Sequence, residues 1–337
     1  AGRCLPAGSC PSVGIAGLTL GGGIGVLARK YGLTCDKLVG ATVVTADGQA
    51  RTVSATAEPD LFWALRGGGG GNFGIVTSFT FATVPAPQLT IFAMGFTAVA
   101  EAFHAWQPWL ASAPDELWAN FNVTGGSPPT CTIAGCYVGP AGPVNAMLNT
   151  LVSRIGTPPK YRTVQPQSYL DAMRYFAGCA AKSMPTCEAQ THGAQWNREA
   201  FVASSRMMAA PVSDPSNIVA AATDRPNLHV IIDGLGGAVG RVGAGDTAFP
   251  HRSAMASVQI YLKTTPEAQA AATTQVTAVR DILAPVVGTG AYVNYIDATM
   301  PNWPQSYYGD NLPRLRQTAT KYDPDHVFTF AQAINRT

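Results

Sequence analysis

The sequence predicts an α+β protein in which an antiparallel sheet, covered by helices on one face, is joined to a glycine-rich portion of different character. Three observations carry this. Between about Gln88 and Gly290, strand-like runs alternate with amphipathic helical runs, the order expected of a sheet with a helical layer. Before Pro85 and Pro87, which break an apolar run, glycine concentrates in two clusters. Past Gly290 the chain changes again, to Tyr-Val-Asn-Tyr-Ile-Asp and a closing helix. These breaks divide it into residues 1–86, 87–290 and 291–337.

In the first portion, Leu38 to Val53 reads as strand, turn, strand, with Asp47-Gly48 the hairpin signal. A short helix at Leu61 to Leu65, capped by Asp60, ends at five consecutive glycines, Gly67 to Gly71. Ile75 to Val84 then alternates apolar and small polar residues like a half-buried strand. In the middle portion strands are expected at Thr90–Phe96, Leu117–Val123, Cys131–Val138, His229–Leu235 and Ser257–Lys263. Helices are expected at Ala98–Leu110, Pro143–Arg154, Ser168–Phe176 and Pro266–Leu283. Gly234 to Gly245 reads as a mobile loop between two strands of the sheet. A last helix over Asn311–Lys321 is stopped by Asp323-Pro324.

At 337 residues the chain can bury a large core and favours two domains over one. No uncharged apolar stretch approaches the roughly 18 residues of a membrane span. A net charge of +2 with dispersed Lys and Arg forms no basic stripe, so the partner is expected to be a small molecule rather than nucleic acid or a membrane surface. Seven cysteines leave at least one thiol unpaired. Cys179 and Cys187 bracket a short polar loop and are expected to close as a disulfide, which suits a secreted or extracytoplasmic setting. Cys131 and Cys136 are separated by an odd number of residues on one strand, which puts them on opposite faces unless a turn intervenes, and their pairing stays open. No Cys/His spacing fits a zinc site, so no metal is expected. The chain starts at Ala1 with no signal-peptide pattern and reads as beginning within a domain.

The glycine clusters carry the strongest chemical signal. Gly14, Gly17, Gly21, Gly22, Gly23 and Gly25 strip side chains from the backbone, so that amides can approach a flat or anionic ligand. A loose surface linker is the bland alternative, but Val13, Ile15, Leu18, Leu20, Ile24, Val26 and Leu27 interleave with the glycines, which a solvated linker does not need. The dinucleotide fingerprint fails for want of a preceding strand and a following acid, and a phosphate loop fails for want of Gly-Lys-Ser/Thr. A second bare stretch, Gly67 to Gly74 with Asn72 and Phe73, suggests one extended cofactor lying across both.

At this point the sequence resembles a known family. Gly8-Ser9-Cys10-Pro11-Ser12-Val13-Gly14, Gly21-Gly22-Gly23, Arg29-Lys30-Tyr31-Gly32-Leu33, Asp60 to Gly67 and Gly71-Asn72-Phe73-Gly74-Ile75-Val76 look like the flavin-domain signature of berberine-bridge-enzyme-like oxidases of the vanillyl-alcohol-oxidase superfamily. The likeness resumes at Phe249-Pro250-His251-Arg252, Ser257-Val258-Gln259, Tyr292-Val293-Asn294-Tyr295, Tyr307-Tyr308-Gly309 and Lys321 to Phe328. It implies part of a PCMH-type FAD-binding domain, its upstream part absent, followed by a substrate domain.

The resemblance also implies roles. Cys10 matches the cysteine that bonds covalently to the flavin, and thiolate addition suits a cysteine among exposed amides; the alternatives are a small buried residue or a disulfide partner of Cys4. Val13 matches the position governing access of O2 to the flavin, and valine there resembles members that release hydrogen peroxide. Gly14, Gly17, Gly22, Gly23, Gly71, Asn72, Gly74, Ile75 and Val76 are expected to line FAD. Tyr292 is expected to face the substrate and Asn294 to bond the flavin, with Gln259 polarising the substrate or the phenol; Tyr261 and His251 are weaker candidates. With an ordinary pKa near 10, Tyr292 can act as base only if neighbours stabilise its phenolate. Ser257 stands where some plant members carry lysine, and Ala16-Gly17-Leu18 replaces the usual Gly-Gly-His. The family's second, histidine link to FAD has no counterpart among the five histidines. The expected activity is hydride transfer from a hydroxyl-bearing carbohydrate or secondary-metabolite alcohol, with O2 as acceptor. The competing expectation is a flavin-fold protein, or inactive fragment, that binds ligand without turnover.

Overall fold

The structure, a computed structural model, describes residues 2–187 and 199–334. Strand β1 (Arg3–Cys4) leads into helices α1 (Ile15–Leu20) and α2 (Ala28–Tyr31), then the hairpin β2 (Leu38–Val44) and β3 (Ala50–Ser54). Helix α3 (Pro59–Ala64) and strand β4 (Ile75–Phe81) follow, and β5 (Val84–Pro85) pairs back onto β1. Strands β3-β2-β4 form an antiparallel three-stranded sheet, turned at Gly48, whose φ of +75° suits a residue without Cβ. The first cap differs from expectation: Glu58, in the left-handed region, is the N-cap of α3, Pro59 takes the first helical position, and Asp60 sits in the first turn, paired with Arg314.

The middle of the chain builds a seven-stranded sheet from β6 (Leu89–Phe96), β7 (Leu117–Thr124), β8 (Thr130–Val138), β9 (Tyr161–Gln167), β10 (Phe201–Met208), β11 (Leu228–Gly234) and β12 (Ala256–Lys263), in the order β10-β12-β11-β7-β8-β6-β9. Every neighbouring pair is antiparallel. Helices α4 (Val99–Ala111), α5 (Ala141–Ile155), α6 (Tyr169–Phe176), α7 (Met184–Cys187), α8 (Ser216–Ala222) and α9 (Gln269–Val287) intersperse with the strands. One core gathers α4, α5, α8 and α9 on one face of the sheet, through Trp106, Leu148, Ile218 and Val279 against Phe121, Ile133, Ile232, Val258 and Ile260. The protein is thus α+β, with a helix-covered antiparallel sheet. Helices α10 (Trp303–Tyr308) and α11 (Leu312–Tyr322) return to the small sheet, where Tyr307, Leu315 and Tyr322 share a core with Val43, Val53 and Trp63.

The five expected middle strands form, and β9 and β10 add to them. Strand β9 sits at the sheet edge and reads Tyr-Arg-Thr-Val-Gln-Pro-Gln; an edge accepts a proline that interior strands reject. Strand β10 buries Ser204, Ser205 and Arg206, which serve hydrogen bonds rather than an apolar pattern. The Gly234–Gly245 segment does connect β11 and β12, and it is fastened: Arg29 O accepts from Ala238 N at 2.7 Å, and Gly245 O accepts from Trp63 Nε1 at 2.8 Å. Cys179 and Cys187 form the expected disulfide, whereas Cys131 and Cys136 lie unbridged on the continuous strand β8.

Arg29, buried in α2, ties the first portion to the sheet. It donates to Leu117 O at 2.7 Å, Ala113 O at 2.9 Å and Leu235 O. Arg252 makes a second buried tie, to both carboxylate oxygens of Asp36 at 2.7 and 2.9 Å. These contacts set the glycine-rich segment against the sheet face that lacks helices α4, α5, α8 and α9.

Candidate active site

The site follows from strand alternation. Because successive side chains point to opposite faces, the register that buries Val258, Ile260, Val230 and Ile232 under the helices turns Ser257, Gln259 and Tyr261 of β12 to the other face, with His229, Ile231 and Asp233 of β11. Strand β7 adds Asn120 opposite Asp233 and Asn122 opposite Ile231, and β10 adds Ser205 opposite Gln259. One row across the sheet therefore carries Asp233, Ser257 and Asn120, the next Gln259 and Asn122, and the third His229 and Tyr261. This face is polar. Among the described residues, Asn120 Oδ1, Asn122 Oδ1 and Ser257 Oγ are buried without a hydrogen-bond partner in the chain, a state that costs free energy unless a ligand supplies the partner.

Asp233 is the acid on this face. Burial pushes its carboxyl up to about 6, and a hydrogen bond from Asn120 offsets part of that rise. Against it comes the Tyr292–Asp297 segment. Tyr295 packs edge-on against Tyr292, with ring centroids 5.1 Å apart. Its phenol is pushed well above the ordinary range, first by burial and then by the nearby charges of Asp233, Tyr292 and Cys10. Tyr295 thus lies within electrostatic reach of the Asp233 carboxylate and of the Cys10 thiol. Asp233 and Tyr295 had no role in the sequence reading. A carboxylate ending the alternating strand His-Val-Ile-Ile-Asp was the signal for the first, and the run Tyr292-x-Asn294-Tyr295 already contained the second.

Tyr292 is tied to the first glycine cluster. Its hydroxyl accepts hydrogen bonds from Gly23 N at 2.9 Å, Ile24 N at 3.3 Å and Asn294 Nδ2 at 2.8 Å, and the residue is only 2% exposed. Those donors favour the phenolate, but burial outweighs them and pushes the phenol up to about 12. The Tyr292 hydroxyl pins the glycine turn. Asn294 belongs to the same knot: its Nδ2 also donates to Leu18 O at 3.0 Å, and its Oδ1 lies 2.0 Å from where a Cβ on Gly21 would stand. His251 is enclosed beside Phe249, and burial lowers its pKa to about 4. Gln259 stands on the open sheet face, and Tyr261 lies one row further out, donating to Glu199.

The first glycine cluster divides into two halves. Gly14 and Gly17 have open space where a Cβ would project, and Val13 and Ile15 beside them are 49% and 42% exposed. Cys10 is exposed as well, free of Cys4, which is buried beside Pro85. This surface, apolar and bare of side chains at its glycines, fits an isoalloxazine ring next to a thiol. Gly22 and Gly23 instead pack inward, with φ of +125° and +89°; a Cβ on them would meet the Phe249 ring at 2.9 Å and Thr34 at 2.3 Å. The second cluster is a support. The amides of Gly67 and Gly69 donate to Leu20 O. Gly71 lies against Phe330, and a Cβ on Gly74 would meet Val44 O at 2.5 Å. Asn72 is buried, donating to Gly68 O and accepting from Ile334 N. Val76 and Ile75 begin β4 opposite Val43 and Val44, and Ile75 alone among Gly71, Asn72, Gly74, Ile75 and Val76 is a large exposed apolar side chain.

A bare-backbone surface beside a thiol, and a polar sheet face that carries a buried carboxylate, fit an FAD-linked oxidoreductase, and the relatives of the chain fix its family. Residues 1–54 match the model described as FAD binding domain, and residues 291–335 match Berberine and berberine like. The chain is 36% identical over 99% of its length, and 72% of the relative's, to "Uncharacterized FAD-linked oxidoreductase YgaK" of Bacillus subtilis. It is 30% identical to the chitooligosaccharide oxidase of Gibberella zeae, covering 98% of this chain and 70% of that one. The solved structure of Physcomitrella patens BBE-like 1 superposes with a TM-score of 0.90 at 29% identity, over 99% of this chain and 73% of that one. The chain belongs to the berberine-bridge-enzyme-like family of FAD-linked oxidoreductases.

Proposed function

We propose that the protein is an FAD-dependent oxidase that converts a carbinol of a carbohydrate or similar polyhydroxylated substrate to a carbonyl, with O2 as the final acceptor and hydrogen peroxide as product. The observation that carries this reading is the polar sheet face, where Asp233 stands beside the unpartnered oxygens of Asn120, Asn122 and Ser257, with Tyr295 within electrostatic reach of the carboxylate. The flavin, when bound, supplies the two-electron acceptor for the substrate's hydride and passes those electrons to O2.

The chain's own residues do the rest. Cys10 tethers the cofactor, Val13, Gly14 and Gly17 floor its ring, and Ile75 offers it a further exposed apolar side chain. Asn122, Asn120 and Ser257 hold substrate hydroxyls through their unpartnered oxygens, and Gln259 through an amide that both donates and accepts. Asp233, ionised above about pH 6, receives the hydroxyl proton through Tyr295, whose high phenol pKa keeps it neutral and able to donate and accept in turn. Tyr292 and Asn294 keep the glycine turn in place. Val13 faces the route by which O2 reaches the ring. The Cys179–Cys187 disulfide supports a secreted or extracytoplasmic location.

Mixing the flavin-loaded protein anaerobically with a panel of mono- and oligosaccharides, then admitting air, tests the proposal. Bleaching of the flavin by at least one sugar, followed by peroxide release, is expected. A flavin that stays oxidised with every sugar but bleaches with an aromatic alcohol would move the substrate class; no bleaching by any alcohol would remove the catalytic reading.

A further inference from the structure

We infer that Asp297 is a positioning residue for Tyr295, and that Ser204 and Arg280, on the helix side of the sheet, act on the reaction through it. This rests on the reading of Tyr295 as the proton-carrying phenol. The geometry is a clamp around the sheet edge. Strand β10 is an edge strand, and its adjacent residues Ser204 and Ser205 point to opposite faces. On the substrate face, Ser205 Oγ accepts from Tyr292 N at 2.9 Å. On the helix face, Ser204 Oγ donates to Asp297 Oδ2 at 2.6 Å. The segment from Tyr292 to Asp297 therefore wraps the edge, gripped on one face at its start and on the other at its end, with Tyr295 between.

Asp297 is unusually well held. Its amide donates to Tyr307 Oη at 2.9 Å, and its carbonyl accepts from Gln332 Nε2 at 2.8 Å. Oδ1 accepts from Thr299 N and Thr299 Oγ1, both at 2.7 Å, and Oδ2 accepts from Arg280 Nη1 at 2.8 Å as well as from Ser204. Arg280, on α9, is itself buried and also donates to Thr299 Oγ1 and Asp281. With Met300 N also donating to the Asp297 carbonyl at 3.1 Å, seven hydrogen bonds fix one residue two positions from Tyr295. A buried ion pair is weak evidence for stability as such and is better suited to fixing one geometry. A displacement of about 1 Å at a reacting group can cost on the order of 100-fold in rate.

Two mild variants test this without leaving a buried charge unpaired. Ser204→Ala removes one neutral donor from Oδ2, and Thr299→Val removes one from Oδ1 at an exposed position. In each, hydrogen exchange of the peptide spanning residues 291–300 is expected to quicken, with or without flavin, while peptides from β2 to β4 are unchanged. The anaerobic flavin-reduction rate is expected to fall roughly 10- to 100-fold, with substrate Kd within about two-fold of the parent, and Ser204→Thr to restore it. Faster exchange with an unchanged reduction rate would make the clamp structural only and overturn the inference, as would unchanged exchange in both variants. Tyr295→Phe is the separate control: if it reduces flavin at the parent rate, the reading of Tyr295 itself fails, whatever the clamp does.

Discussion

Replacing Asp233 by asparagine separates stability from catalysis at one position, in opposite directions. Burial raises the carboxyl from the ordinary 3.8 to about 6, so between those values the folded protein binds a proton that the unfolded chain has released. The stabilising contribution of the protonated carboxyl is complete below about pH 4 and is lost as the pH rises to about 6. At about 1.4 kcal/mol per pH unit, the loss sums to roughly 3 kcal/mol. A carboxamide at this position would not titrate and could keep a hydrogen bond to Asn120, so Asp233→Asn should be more stable than the parent by up to about 3 kcal/mol at pH 8, with the gap closing towards pH 4. Urea unfolding of both proteins at pH 4, 5, 6 and 8 measures that gap and cancels the other carboxylates, which are common to both. The same variant should reduce flavin about 10²- to 10⁴-fold more slowly, because the proton acceptor is gone. Parallel stability curves across that pH range would refute the buried, raised carboxyl; activity within a few-fold of the parent would refute its role as acceptor.

Cys10→Ala should release all flavin on acid precipitation, whereas the parent retains it in the pellet; equal release from both would remove the covalent link. Arg29→Met deletes the donors to Leu117 O, Ala113 O and Leu235 O, and stranding these carbonyls should cost about 3–5 kcal/mol in urea unfolding; a loss under about 1 kcal/mol would show that the tie is dispensable. Gly21→Ala places a Cβ 2.0 Å from Asn294 Oδ1 and should destabilise by about 1–3 kcal/mol while displacing the amide that binds Tyr292 Oη. An alanine variant as stable as the parent would mean that the turn yields without loss.

What the sequence disclosed and what it withheld divide along the range of the interactions involved. Alternation in His-Val-Ile-Ile-Asp and Ser-Val-Gln-Ile-Tyr is local, and it was enough to put the β11 and β12 strands in place. Edge strands β9 and β10 lacked that pattern because their residues answer to partners elsewhere: Arg162 to Asn145 and Asn149, Ser204 to Asp297, Ser205 to Tyr292. The two tyrosines show the limit most clearly. Tyr292 and Tyr295 stand three residues apart, equally aromatic and equally able to carry a proton, and nothing nearby distinguishes them. Their difference is made by Gly23 N, 269 positions from Tyr292, and by Asp233 on β11. One phenol is spent holding a turn and the other is left beside a carboxylate. The bare backbone has the same logic. Gly14 and Gly17 look like Gly22 and Gly23 in the sequence, yet only the first pair faces open space, because Phe249 and Thr34 come from distant or separately folded segments to fill the room beside the second. A glycine cluster therefore announces close approach without saying by what, and here half of it serves the protein's own packing.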